Sequence, residues 1–344
     1  MRVSESDYAL PDEAIAQTPA EPRDSSRMLI LDRCTGEIEH ARFRDLPKHL
    51  EPGDLVVMND ARVTALRLHG RKPAGARVEA LLLREVTPGV YAALVKPGRR
   101  LKKGARIMFR EGLEAEVIGK TEDGGRVLRF NPADNLPSKL KRIGSTPLPP
   151  YFKGELDDPE RYQTVYASAP GSSAAPTAGL HFTPELLRTL HERGVETAMV
   201  SLEVGLDTFR PIPAGNVEEH KMHGENYCVP METAQKVASA RGRVVAVGTT
   251  TVRALESAAA GTRRVEPGSG NTDLFIRPSY NFRVVDGIIT NFHLPRTTML
   301  LLVAAFCGGA RLKAAYREAL QAGYRFLSFG DSMLILAREQ NAKD

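Results

Sequence analysis

Between residues 61 and 150, short runs of apolar and β-branched residues recur about every ten positions: Val63–Leu68, Val78–Val86, Val90–Val95, Arg106–Phe109, Leu113–Ile118 and Val127–Phe130. Turn signals separate them, namely Thr87-Pro-Gly, Lys96-Pro-Gly, Arg110-Glu-Gly and Glu122-Asp-Gly-Gly125. Short strands at this spacing predict a small antiparallel barrel or sandwich. Asn131–Pro150, rich in Pro, Asn and Ser, reads as the irregular end of that unit.

The pattern outside this stretch has a longer period. Thr183-Pro-Glu opens a helix with Thr as N-cap and Pro at the first position, and Gly194 closes it. Val195–Val204 follows as a strand, then Met231–Arg241 as a helix and Val244–Val247 as a buried strand. Thr249–Ala260 is the next helix, Val284–Ile289 a strand, Thr297–Cys307 an apolar and therefore buried helix, and Leu312–Ala322 an amphipathic one. Helix and strand in alternation predict an α/β core with crossover units. The expected fold class is thus a mixed α/β core, residues 1–60 plus 151–344, with residues 61–150 inserted as a small antiparallel β-barrel.

Composition narrows the class. The chain has 344 residues, 42% of them hydrophobic and 26% charged, which excludes a disordered or fibrous protein and suits two globular domains. The three cysteines, Cys34, Cys228 and Cys307, are odd in number and form no CxxC pair. That argues for a reducing compartment and against a disulfide framework. The N-terminal stretch has no apolar core of the kind that directs secretion. The longest apolar run, Met299–Cys307, falls far short of the ~20 residues that span a bilayer. A cytoplasmic location is expected.

Charge is unevenly placed. Residues 61–150 hold 19 Lys and Arg against 8 Asp and Glu, a net of +11, while the whole chain is only +5. The densest patch supplies Lys96, Arg99, Arg100, Lys102 and Lys103 around a Pro-Gly turn. A lone patch of this kind can be a solubilising loop, but the asymmetry of the whole segment points to a polyanion, a nucleic acid. Composition does not choose between RNA and DNA.

Several motifs could carry chemistry. Val244–Glu256 predicts a strand, a tight turn at Gly248 and a helix whose first turn carries Thr249, Thr250 and Thr251. Free N–H groups and the helix dipole favour a carboxylate or phosphate there. Arg253, one turn in, could clamp the same anion with two hydrogen bonds; ordinary capping of a buried helix is the alternative. The small-residue stretch Pro170–Phe182 contains Thr177 and Gly179 and ends in His181, and small side chains let a backbone approach a ligand closely. His220-Lys-Met-His223 sets two histidines three apart beside Glu225; without thiolates or an HExxH pattern, proton transfer suits them better than a metal, and no metal is expected. His293, in Asn291-Phe-His-Leu-Pro295, follows a strand, and Asp331 follows a Gly turn where it could brace the turn or serve in catalysis. There is no P-loop and no GxGxxG fingerprint, which counts against nucleoside triphosphate and Rossmann readings.

Together the chain resembles the S-adenosylmethionine:tRNA ribosyltransferase-isomerase family of queuosine biosynthesis. The resemblance rests on Asp7-Tyr-Ala-Leu-Pro11, Arg23-Asp-Ser-Ser-Arg27, Pro52-Gly-Asp54, Asn59-Asp60, Tyr162-Gln-Thr-Val-Tyr166, Ala175–Thr183, His220–His223, Val247-Gly-Thr-Thr250, Thr290–Pro295 and Phe329-Gly-Asp331. These run in the family's order over nearly the whole chain. Departures are Ala61 for Ser or Thr, Asp207 for Gly and Thr251 for Ser. The Asp207 change matters most if that position needs a positive φ.

The resemblance implies a monomeric two-domain enzyme with an inserted β-barrel. It would move the ribosyl part of S-adenosylmethionine onto the 7-aminomethyl-7-deazaguanine base at the wobble position of tRNA. It would then rearrange that part to the epoxycyclopentanediol of epoxyqueuosine, releasing adenine and methionine. The donor is then a co-substrate and no further cofactor is implied. Within that chemistry His181, His223 and His293 are the candidates for proton transfer. Asp331 or Glu225 would partner the ammonium, and Thr249, Thr250 and Arg253 the methionine carboxylate. A non-catalytic RNA-binding protein would explain the charge but not the histidine-bearing loop. An RNA methyltransferase is disfavoured by the missing glycine loop.

Overall fold

A computed structural model describes residues 7–121, 124–131, 134–154, 156–205, 211–212, 217–220, 222 and 224–337. Asp207 and His223 lie outside the described residues. The chain forms two compact units. One comprises Met1–Ala61, Pro149–Ala169 and Ala175–Asp344, the other Arg62–Leu148 with Pro170–Ala174. The short return Pro170–Ala174, which the sequence pattern leaves in the larger domain, belongs to the smaller unit, where Thr64 N donates to Ser172 O at 3.1 Å.

The larger unit is built on a nine-stranded mixed sheet. Its order is Gly268–Thr272, Glu225–Val229, Glu196–Leu202, Leu55–Asn59, Val244–Val247, Gly287–Asn291, Ser332–Leu336, Arg27–Asp32 and Ile38–Arg42. Leu55–Asn59, Val244–Val247, Gly287–Asn291 and Ser332–Leu336 are buried at every position, as unbroken apolar runs are when both faces of a sheet are covered. The edge strand Ile38–Arg42 is polar and half-exposed, which discourages pairing with another chain. On one face Met28, Ile30, Val56, Met58, Val245, Val247, Ile289 and Leu334 pack with Phe43, Phe182, Leu186 and Leu190. The alternate residues of the same strands, such as Leu29, Val57, Ala246 and Ile288, are buried on the opposite face.

The helices form where the sequence predicts them, most with shorter ends, while the one expected from Leu312 begins at Gly309 and runs to Gln321. Thr183 Oγ1 accepts from Leu186 N at 3.1 Å to cap Pro184–Glu192, and Thr297 caps Thr298–Cys307 in the same way. The helix expected over Thr249–Ala260 stops at Ser257, because Ala259–Gly261 turns back to pair with Arg264–Val265. Among the described residues no single helix is long and apolar enough to cross a membrane.

The smaller unit is a closed barrel of six strands in the order Arg126–Asn131, Val90–Lys96, Arg77–Thr87, Leu66–Arg71, Arg106–Met108 and Glu114–Lys120. Val78, Ala80 and Leu82 point inward with Ala115, Val117, Leu128 and Phe130, the two-residue alternation expected of a barrel wall. Two details differ from the sequence pattern. Val63–Leu68 is not one strand: Ala61–Val63 and Leu66–Arg71 are separate. The Pro- and Ser-rich stretch after Asn131 contains a helix, Leu136–Ile143, whose Leu136 and Leu140 close one part of the barrel core.

Candidate active site

Glu196–Leu202, Leu55–Asn59, Val244–Val247 and Gly287–Asn291 run parallel and end at one edge of the sheet. In chain order, Leu55–Asn59 is joined first by Glu196–Leu202 on one side, then by Val244–Val247 on the other. At such a reversal the loops leave in opposite directions and open a crevice. Asn59, 1% exposed, fixes that point. Its Oδ1 accepts from Ala61 N and Leu202 N, both at 3.0 Å, and its Nδ2 donates to Leu202 O at 3.0 Å and Thr250 Oγ1 at 3.2 Å.

Three of the sequence motifs meet at this edge. Gly248, at φ +87, turns the chain from strand into helix, and its N–H donates to Ile289 O at 2.7 Å. A Cβ on Gly248 would lie 3.6 Å from Ala178, so the turn seats against the 3-10 segment Thr177–His181. Thr177 Oγ1 donates to Asn291 Oδ1 at 3.3 Å. Gly179 has no room for a side chain: a Cβ there would overlap the Tyr166 hydroxyl and lie 2.8 Å from Thr164 Cγ2. The hydroxyls of Tyr162, Thr164 and Tyr166 are buried without a hydrogen-bond partner among the described residues.

His181 is 4% exposed and stacks on Phe43, with ring centroids 5.0 Å apart. Asn291 Nδ2 donates to its Nε2 at 3.1 Å, so the ring proton lies on Nδ1 and is given to Ser26 Oγ at 2.7 Å. Burial, reinforced by Arg161, Arg325 and Arg23, pushes its pKa down to about 3. His181 is therefore neutral with both ring nitrogens occupied. His293, 7% exposed, is likewise pushed down to about 3 by burial. Its Nε2 meets Thr290 Oγ1 at 2.8 Å, its backbone N–H donates to Tyr316 Oη at 2.9 Å and its backbone carbonyl accepts from the Tyr8 hydroxyl. Nδ1 of His293 has no partner among the described residues. Of the two, only His293 has a ring nitrogen without a hydrogen-bond partner among the described residues.

Asp331 lies at the same edge, because Ser332 is opposite Asn291 in an antiparallel pair. Its carboxylate accepts from Arg27 N and Arg325 N, both at 2.8 Å, so it braces the start of the last strand. Arg253 is not the open clamp the sequence suggests. It forms a buried ion pair with Glu225 and also donates to Leu274 O and Thr272 O, both at 3.1 Å. Glu225 accepts from Gly205 N at 3.0 Å as well. Two of the guanidinium's five donors remain, and a small cleft beside them is lined by Thr249, Thr250, Arg253, Phe275, Met299 and Leu302. Thr249 is 6% exposed and its hydroxyl has no partner among the described residues. The free space is about 20 Å³, room for one water, whereas ligand pockets run to hundreds of Å³. A nucleoside-sized ligand enters only if Met299 and its neighbours move.

Comparison with known proteins shows the family of the chain. Residues 3–335 match the family described as queuosine biosynthesis proteins. The chain belongs to the queuosine biosynthesis protein family. The S-adenosylmethionine:tRNA ribosyltransferase-isomerase of Thermotoga maritima is 52% identical over 339 residues, covering 98% of this chain and 100% of the relative. That of Carboxydothermus hydrogenoformans is 52% identical over 340 residues with the same coverage. A crystal structure of the S-adenosylmethionine tRNA ribosyltransferase from Thermotoga maritima superposes with a TM-score of 0.56 at 43% identity, covering 97% of this chain and all of that one.

In this member of the queuosine biosynthesis family, single-residue reasoning missed Asn59, Ser26, Thr290 and Asn291. Each is a buried polar residue at or beside a strand end. A polar residue closing an apolar run, as in Leu55-Val-Val-Met-Asn59, is the signal that could have found the first. On the barrel unit, Lys96, Arg99, Arg100, Lys102 and Lys103 are all exposed, as a backbone-contacting patch requires. Their turn is held by buried Arg126, whose guanidinium donates to Leu101 O at 2.6 Å, Gly98 O at 2.5 Å, and Gly124 O and Gly125 O at 2.8 Å.

The two neutral histidines set a pH dependence of stability. Their folded pKa values lie below the unfolded value near 6.5, so the unfolded chain binds protons first as pH falls. Stability is full above about 6.5 and is lost on descending toward 3. At pH 5 the loss is about 2 kcal/mol for each histidine. Urea unfolding near pH 7.5 and near pH 5 is expected to show it, and His181→Gln should remove about half of the histidine share.

Proposed function

We propose that this chain transfers and isomerises the ribosyl moiety of S-adenosylmethionine onto 7-aminomethyl-7-deazaguanine at the tRNA wobble position. The products are epoxyqueuosine-tRNA, adenine and methionine. The observation that carries this reading is the meeting of Thr177–His181, Gly248–Arg253 and Asn291–His293 at one strand edge, in a chain matched end to end by ribosyltransferase-isomerases. The enzyme acts as a monomer in the cytoplasm and needs no cofactor, since S-adenosylmethionine is consumed.

The chemistry assigns the work. The aminomethyl group must shed a proton before its nitrogen attacks C5′ of the donor. The C5′–S bond then breaks and its electrons stay on sulfur, so methionine leaves as a neutral thioether without acid assistance. Later a proton is taken from the ribosyl part and one is delivered to the departing adenine. We assign the proton transfers to His293, whose Nδ1 makes no hydrogen bond among the described residues. His181 positions Asn291, and through it Thr177. Arg253, Thr249, Thr250 and the uncapped start of the Thr249–Ser257 helix receive the methionine carboxylate, with Glu225 setting the guanidinium's angle. The basic turn of the barrel takes tRNA phosphates.

Product analysis tests the reading. Purified protein with precursor tRNA and donor should release adenine and methionine. S-adenosylhomocysteine instead would establish methyl transfer, and tRNA binding without turnover a non-catalytic role. For the basic turn, replacing Arg99, Arg100, Lys102 and Lys103 with Ser should flatten the slope of log tRNA affinity against log salt by about three units. Donor affinity should not change. Parallel lines for parent and variant would place the phosphate contacts elsewhere.

A further inference from the structure

A second charged feature of the barrel unit is distinct from the Lys96–Lys103 turn. The turn between strands Leu66–Arg71 and Arg77–Thr87, together with Met108–Arg110, encloses a hollow of about 690 Å³. His69, Arg71, Lys72, Arg77, Met108 and Arg110 are among its lining residues.

Its charge is of one sign, whereas several arginines elsewhere in the unit are paired with carboxylates. Arg67 pairs with Glu79 at 3.5 Å, Arg106 with Glu114 at 3.5 Å, Arg129 with Glu116 at 3.1 Å and Arg142 with Glu111 at 2.6 Å. Arg71, Lys72, Arg77 and Arg110 have no carboxylate partner among the described residues, and none lines the hollow. Arg71 and Arg77 stand opposite each other in the hairpin register, where like charges are destabilising. A cluster of cations of this kind raises the local positive potential and attracts a polyanion. Lys72 Nζ donates to Arg100 O at 2.7 Å, so one residue of the hollow is tied to the basic turn.

The hollow is also partly apolar. Met108 is 53% exposed and sits in register with Arg71, with Phe109 beside it at 8%. Gly70 lets the strands close, since a Cβ there would lie 2.7 Å from Met108 O. An exposed, polarisable thioether among cations matches the two halves of a nucleotide, charged phosphate and flat base.

The geometry points to this hollow as a second RNA contact. Phosphates of an unpaired stretch of tRNA lie against Arg71, Lys72, Arg77 and Arg110, and one base rests on Met108. The inference depends on the tRNA substrate proposed above. A polycationic face also attracts anionic membranes, and the test separates the two.

The experiment measures tRNA affinity across a salt series for the parent, for the triple variant Arg71→Ser/Arg77→Ser/Arg110→Ser, and for Met108→Ala. The triple variant should lose about two to three units of slope, at ~0.7–0.9 per phosphate. Met108→Ala should weaken binding roughly 2- to 10-fold with the slope unchanged, the value of a thioether–ring contact. An unchanged slope in a triple variant that melts like the parent overturns the inference. So does loss of binding to phosphatidylserine vesicles while tRNA binding stays at the parental value. Arg71→Lys/Arg77→Lys/Arg110→Lys, which keeps the charges, should keep most of the parental slope. Turnover of the parent is scored separately. If it releases adenine and methionine but the slopes are parallel, only the hollow is wrong. If it does not turn over, the proposed reaction is wrong and the slopes still decide the hollow.

Discussion

Arg253→Ala is expected to lower the unfolding free energy by about 3–5 kcal/mol, because it removes one partner of a buried ion pair. Donor affinity should fall as well, but in this variant the two losses are entangled. The double variant Arg253→Met/Glu225→Leu separates them. Replacing both members of a buried pair with apolar groups of similar size is often neutral or stabilising, so most of the stability should return. Donor affinity should stay down roughly ten- to a hundredfold, the value of a charge-assisted contact of ~1.5–3 kcal/mol. Calorimetric donor titration with a chemical melt on both variants checks the pair of outcomes. A double variant that binds donor like the parent would show that Arg253 holds the fold together and touches no carboxylate.

His293→Ala should lower turnover by about 10²–10⁴, the range for loss of a general acid or base, with tRNA and donor affinities within a few-fold of the parent. His181→Ala should behave differently. It removes the partner of Ser26 Oγ and Asn291 Nδ2 and opens a hole beside Phe43, costing about 2–4 kcal/mol of stability. Any turnover deficit should then be shared by Asn291→Ala, which breaks the same chain of contacts. Single-turnover rates with saturating substrates, beside urea melts, distinguish the two histidines. Equal, large rate losses without destabilisation would restore His181 as a proton carrier.

The barrel was legible in the sequence because its strands are half-buried: alternation and Gly-containing turns mark each of them. Arg27–Asp32, Leu55–Asn59 and Ser332–Leu336 were not, since they are short apolar runs buried on both faces. Periodicity alone cannot tell such runs from helix. Helix Leu136–Ile143 was hidden by its Pro and Ser, although Pro sits at its second position, where it does no harm. The Gly248 turn was readable because strand, glycine and hydroxyl-bearing helix start are consecutive. The state of His181 was not, for its ring partners are 155 and 110 residues away. Arg253 posed the same difficulty: Glu225 reaches it only because Glu225–Val229 lies beside Glu196–Leu202 in the sheet.

The order in which these strands emerge during synthesis has its own effect. Every strand of the barrel lies between Leu66 and Asn131, so it can close while the ribosome is still making the rest. The large sheet cannot. Ser332–Leu336 is an interior strand, wedged between Gly287–Asn291 and Arg27–Asp32, and Ser332 pairs with a stretch made 305 residues earlier. Until it is released the growing chain carries two unsatisfied edges and has no anchor for the Asp331 brace. A nascent chain arrested before Ser332 should therefore hold a protease-resistant barrel attached to a digestible remainder, and catalytic competence arrives only with the final strand.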